Sequence, residues 1–133
     1  MNEEQRKVVE HRLQRAHETL AAAKLMLDND QCLSAVNRLY YSCFYAVTAL
    51  LETRGLASSK HSGVLSLFNQ NFVKPGAITT DNGTFYKHLY HKRHEGDYTD
   101  FAEFTQERVR AMYASAATFI AEISRLVERE LQG

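Results

Sequence analysis

The chain has 133 residues, a length that suits one domain with one continuous core, and sixteen Lys and Arg balance sixteen Asp and Glu. That balance excludes the broad positive field behind non-specific nucleic-acid binding, so any RNA contact has to be local, and the neutral total mildly favours self-association. The charged opening Met1-Asn2-Glu3-Glu4-Gln5-Arg6-Lys7 lacks the apolar core of a signal peptide, and the longest apolar region, Leu39 to Leu51, is broken by Ser42 and Thr48 and falls short of the ~20 residues of a membrane span, so a cytoplasmic protein is expected.

Val9, Leu13, Ala16, Leu20, Ala23 and Leu27 alternate by four and three residues and predict a first helix from about Glu3 to Asp28. Asn29-Asp30 is a turn signal. The period restarts at Leu33 and runs through Val36, Leu39, Tyr40, Cys43, Phe44, Val47, Leu50 and Leu51, with Gly55 as a left-handed stop. Because Tyr41, Tyr45 and Ala49 occupy the other face, this second helix is apolar nearly all round and should be the spine of the fold. Ser58-Ser59 can cap a third helix carrying Val64, Leu65, Phe68 and Phe72, which Pro75-Gly76 ends. After a loop over 77–83, a short fourth helix with Phe85 and Leu89 inward, accompanied by Tyr86 and Tyr90, ends near Arg93. An exposed connection pinned by Phe101 and Phe104 then leads to Thr105, a cap for the last helix, whose stripe runs from Val109 to Val127. No segment alternates like a strand. The prediction is a single all-α domain over 1–133. Cys32 and Cys43 lie within a helical pattern without CxxC spacing, which points to free thiols and not to zinc.

The richest group of titratable residues is His88, His91, Lys92, Arg93, His94, Glu95 and Asp97, closed by Tyr98. One reading is a solvated helix end whose cations complement the dipole. Another is a phosphate site, with the forked guanidinium of Arg93 holding the anion and a neighbouring side chain moving a proton. A metal held by histidines one turn apart is the third, without an HExxH motif to support it. His61, in the first turn of helix three, is expected to be neutral and hydrogen-bonded, either as packing or as the wall of a cleft. Arg38 shares the face of Tyr41 and Tyr45 on an otherwise buried helix, so it should meet an acid, a carbonyl or a partner subunit; Asn37, four residues before Tyr41, raises the same question. There is no glycine-rich phosphate loop, GxSxG elbow or calcium loop, and no cofactor is expected.

In order along the chain, Ser34-Ala35-Val36-Asn37-Arg38-Leu39-Tyr40-Tyr41-Ser42-Cys43-Phe44-Tyr45-Ala46, Lys60-His61-Ser62-Gly63-Val64, Phe72-Val73-Lys74, Arg93 and Asp97-Tyr98 resemble the HEPN domain family over nearly the whole length. The similarity is greatest to stand-alone prokaryotic HEPN proteins encoded beside a minimal nucleotidyltransferase, in what resembles a toxin–antitoxin pair. The resemblance implies an up-and-down bundle of four long helices and a short one, paired as a homodimer. It further implies metal-independent RNase chemistry by an Arg followed after four to six residues by a His, with two copies of the motif meeting across the dimer.

Counted from Arg93, the positions for that His hold Tyr98, Thr99 and Asp100. A phenol with a pKa of about 10 is a poor base at neutral pH, so efficient RNA cleavage is not expected from it, and His94 is turned about 100° from Arg93 on a helix. A tyrosine at this position also resembles the HEPN proteins whose partner nucleotidyltransferase attaches AMP to it, which makes Tyr98 a modification candidate. The resulting site has Arg93 and Tyr98 as its reacting pair and Arg38, Asn37, His61, His94 and Asp97 as RNA- or nucleotide-binding residues, with no metal ligands. The alternative function is a non-catalytic nucleotide-binding or scaffolding subunit of a nucleotidyltransferase complex. No membrane association is expected.

Overall fold

The computed structural model describes residues 1–94 and 104–133, and among them the chain forms five α-helices and no strand. They are α1 (Glu3–Asp28), α2 (Cys32–Glu52), α3 (His61–Phe68), α4 (Thr80–His94) and α5 (Gln106–Gln132); a π-helical turn, Asn69–Val73, continues α3. The bundle therefore has four long helices and a short one, as expected, but the short one is α3 and not α4.

The ends of these helices follow local chemistry. Asn2 caps α1 by accepting the Gln5 N–H at 2.7 Å, and Thr105 caps α5 by accepting that of Arg108 at 3.3 Å. Gly55 adopts φ +67° where a side chain would be strained, and it allows Leu56 N–H to reach Leu51 C=O and Gly55 N–H to reach Glu52 C=O, both at 3.0 Å. Asp30, at φ +62°, lets the chain close the end of α1 in the same way, with Gln31 N–H on Met26 C=O at 2.8 Å.

Two boundaries differ from expectation. Lys60, not Ser58 or Ser59, precedes α3, and no side chain caps that helix; the Ser58 hydroxyl accepts from Lys60 N–H instead. Helix α4 begins at Thr80, inside the segment read as a loop, because Glu122 of α5 anchors its start. The carboxylate of Glu122 accepts from Asn82 Nδ2 at 2.7 Å and from the Thr79 hydroxyl at 3.2 Å, while that hydroxyl accepts the Asn82 N–H. Tertiary bonds here override the poor helix propensity of Asn82-Gly83.

Helix α2 is the spine. It packs against α1, α3, α4 and α5, and eleven of its residues, from Ala35 to Leu51, are buried. Above it Phe68, Tyr86 and Phe119 form an aromatic layer, with Tyr86 stacked on Phe119 at 5.7 Å and Phe68 edge-on to both. The α1 stripe is buried as expected at Val9, Ala16, Ala23 and Leu27, with Leu13 and Leu20 packed beside the core. Phe104 is buried, whereas Phe101 lies outside the described residues. Both cysteines are free, and burial pushes the Cys43 thiol up to about 12, so it stays protonated.

Gly83 is where α4 touches the π-helical turn, and a Cβ there would lie 2.6 Å from Val73 Cγ1. Gly83→Ala gains about 1 kcal/mol in helix propensity, but overpacking against a stiff β-branched side chain costs about 1–3 kcal/mol. Net destabilisation, read as a lower urea midpoint with an unchanged slope, is the expected result.

Candidate functional site

The middle of α2 brings Asn37, Arg38, Tyr40 and Tyr41 within one turn, and this is the stretch that the start of α3 and the end of α4 approach. Tyr40 is fully buried, and its hydroxyl lies between two imidazoles. His61 Nδ1, from the first residue of α3, lies 2.8 Å from the Tyr40 oxygen; His94 Nε2, from the last residue of α4, lies 3.3 Å from it. The two imidazole rings are 5.0 Å apart. Each is held by a stack, His61 on Phe44 at 4.3 Å and His94 on Tyr90 at 4.5 Å.

Beside this pair, two guanidinium groups rest on Tyr41. The Arg38 carbon is 5.4 Å and the Arg93 carbon 5.6 Å from the ring centroid, and Arg93 Nη2 donates to the Tyr41 hydroxyl at 3.4 Å. Arg38 and Arg93 line an open groove together with Met26, Leu33, Ser34 and Asn37, and among the described residues no carboxylate lines it. Among the described residues Arg38 has neither the acid nor the carbonyl expected of it; its neighbour is an aromatic face. Such a groove is suited to an anion.

Burial, and then the charge of Arg93, lower the pKa of His61; burial, then His61, then Arg93 lower that of His94. Both imidazoles are therefore neutral at pH 7, as expected for His61. Burial raises the Tyr40 phenol, which keeps its proton. Among the described residues Arg93 is the charged group acting on the pair, and Tyr40, Tyr41 and Tyr90 are titratable rings in contact with it.

A histidine whose pKa is lowered on folding binds its proton more readily when unfolded. Stability should accordingly fall as the pH drops through the unfolded value of 6.5 and level off once the folded imidazoles also protonate. Urea unfolding at a series of pH values from 8 to 5 measures this, and His61→Gln together with His94→Gln should flatten that part of the profile.

Of the residues singled out in the sequence, Asn37, Arg38 and Arg93 share the groove, and His61 and His94 adjoin it. Arg93 and His94, adjacent on α4, meet different rings, the first Tyr41 and the second Tyr40. Those two tyrosines are themselves adjacent on α2, so the side chains converge on one site. Asp97 and Tyr98 lie outside the described residues. Among the described residues no three His, Cys, Asp or Glu side chains gather as a metal site. The hydroxyl of Tyr40 was missed, because i,i+4 aromatic spacing marks a ring as core and carries no information about where its oxygen ends.

Comparison with known proteins places this chain in a family. The model of the HEPN domain matches residues 9–126. The chain belongs to the HEPN domain family. It is 45% identical over 128 residues to a protein of Thermotoga maritima named UPF0332 protein, covering 96% of each chain. It is 31% identical over 131 residues to a protein of Methanocaldococcus jannaschii named "Putative toxin", covering 98% of this chain and 97% of that one, and a second protein so named from the same organism is 30% identical over 112 residues. In this HEPN domain α2, α3 and α4 supply the polar described residues of the candidate site, and no helix among the described residues is long and apolar enough to cross a membrane.

Proposed function

We propose that this HEPN protein is toxin-like and acts on single-stranded RNA through the groove of Arg38 and Arg93. The observation that carries the reading is the pairing of two guanidinium groups on Tyr41, in one groove, beside two neutral imidazoles. The guanidiniums would hold the scissile phosphate, and an imidazole would supply proton transfer without a metal. The relatives named as toxins support the first half of this reading. In the same proposal the protein works in the cytoplasm as a homodimer, which would place two such grooves side by side, and a minimal nucleotidyltransferase restrains it as antitoxin, with Tyr98 as the side chain it modifies.

The tyrosine at position 98 also supports a second reading, a non-catalytic subunit that binds a nucleotide and presents it to that partner. One experiment separates the two. Expression of the chain should arrest growth and the purified protein should bind and cut single-stranded RNA, both abolished in Arg93→Ala; nucleotide binding without turnover, lost in the same variant, would select the subunit reading.

A further inference from the structure

We propose that His61, Tyr40 and His94 form a proton relay whose two imidazoles serve as the base and the acid of RNA transesterification, in place of the histidine missing after Arg93. The assignment rests on the RNA reading above and deepens it.

A single phenol lies within hydrogen-bond distance of both imidazoles. Tyr40 has one proton to give, and in the relay it donates to one ring nitrogen and accepts a hydrogen bond from the other. In one arrangement Tyr40 donates to His61 Nδ1 and His94 Nε2–H donates to Tyr40; His94 Nδ1 then carries a lone pair and His61 Nε2 a proton. In the reverse arrangement both bonds turn round and the outer nitrogens exchange roles. In both arrangements the pair offers one acceptor and one donor. The distances of 2.8 and 3.3 Å to the Tyr40 oxygen suit such a chain, and the stacks on Phe44 and Tyr90 fix the two rings. Its location fits as well. The ring of Tyr41, on which both guanidiniums rest, lies 5.2 Å from that of Tyr40 and 6.0 Å from that of His61, so a phosphate on Arg38 and Arg93 is next to the relay.

The chemistry balances without a metal or a co-reactant. His94 Nδ1 takes the 2′-hydroxyl proton as the 2′-oxygen bonds to phosphorus. The Nε2 proton of His94 passes to the Tyr40 oxygen as the Tyr40 proton passes to His61 Nδ1. His61 Nε2 gives its proton to the 5′-oxygen as the P–O5′ bond breaks, leaving a 2′,3′-cyclic phosphate and a free 5′-hydroxyl. Both imidazoles end neutral, and proton exchange with water at the outer nitrogens resets the pair. His61 and His94 are catalytic residues in this scheme, and Tyr40 is the positioning residue between them.

Nitrogen chemical shifts of the imidazoles in the full chain at pH 8, with cleavage of a synthetic single-stranded RNA, test the proposal. The relay requires both rings to show the same tautomer, and Tyr40→Phe, which keeps the stacked ring, to uncouple them. Opposite tautomers in the wild type overturn the relay even if RNA is bound and cut. His61→Gln and His94→Gln should each slow cleavage about 100-fold or more with RNA affinity within about twofold, the scale of a lost general acid or base. Cleavage unchanged in either variant overturns its catalytic role. A wild-type protein that binds no RNA fails the RNA reading itself and the acid–base role with it, a result distinct from opposite tautomers in a protein that cuts.

Discussion

Exchanging both Arg38 and Arg93 for alanine should lower the affinity for single-stranded RNA by roughly 100-fold or more. Each charge-assisted hydrogen bond to a phosphate contributes about 1.5–3 kcal/mol, and the two guanidiniums line one groove. The chain carries no net charge that could compensate from a distance. The salt dependence should weaken in parallel, because single-stranded RNA releases about 0.7 counterion per phosphate contact, so the loss of two contacts should reduce the slope of log affinity against log salt by about 1.4. Fluorescence anisotropy at several salt concentrations reads both quantities. Since each guanidinium rests against the face of Tyr41, an Arg→Lys exchange is not conservative here and should recover only part of the affinity. Unchanged affinity in the double variant would remove this groove from consideration as the RNA site.

The second large effect concerns stability. Phe119→Ala should cost about 3–5 kcal/mol, a sizeable part of the ~5–15 kcal/mol that holds a domain together. Phe119 is fully buried and meets Phe68 at 5.9 Å, Phe85 at 6.0 Å and Tyr86 at 5.7 Å. Its removal leaves a void between rings that stiff helices cannot close, so the lost transfer energy and the cavity add. Equilibrium urea unfolding followed by circular dichroism checks the figure. Because α4 leans on this layer through Phe85 and Tyr86 and carries Arg93 and His94 at its far end, the variant should also loosen the site, and its RNA binding should fall with its stability. Phe119→Leu, which refills most of the volume, should restore much of both.

These two effects rest on different kinds of information. The core was legible in the sequence because helical burial is a local, periodic property. The 4–3 spacing of α1, the apolar circumference of α2 and the stripe of α5 each require nothing beyond their own segment. The same holds for ends governed by a single residue, such as Thr105 and Gly55. The start of α4 was not legible, since Glu122, which fixes it, lies forty residues from Asn82.

The site divides in the same way. Arg93 stood out by its charged surroundings, and Arg38 by being a cation on an apolar helix. Nothing in the sequence brought either to Tyr41, or brought His61 and His94, thirty-three positions apart, to one phenol. The sequence by itself determined that the chain is an all-α bundle of this family and singled out Arg93 as the leading candidate, because helical periodicity and an ordered set of motifs are written along the chain. Only the tertiary structure decided that a tyrosine hydroxyl links two neutral histidines beside that arginine. The reason is physical: where a side chain ends depends on how helices distant in sequence pack, and packing sums weak contacts that no local pattern records.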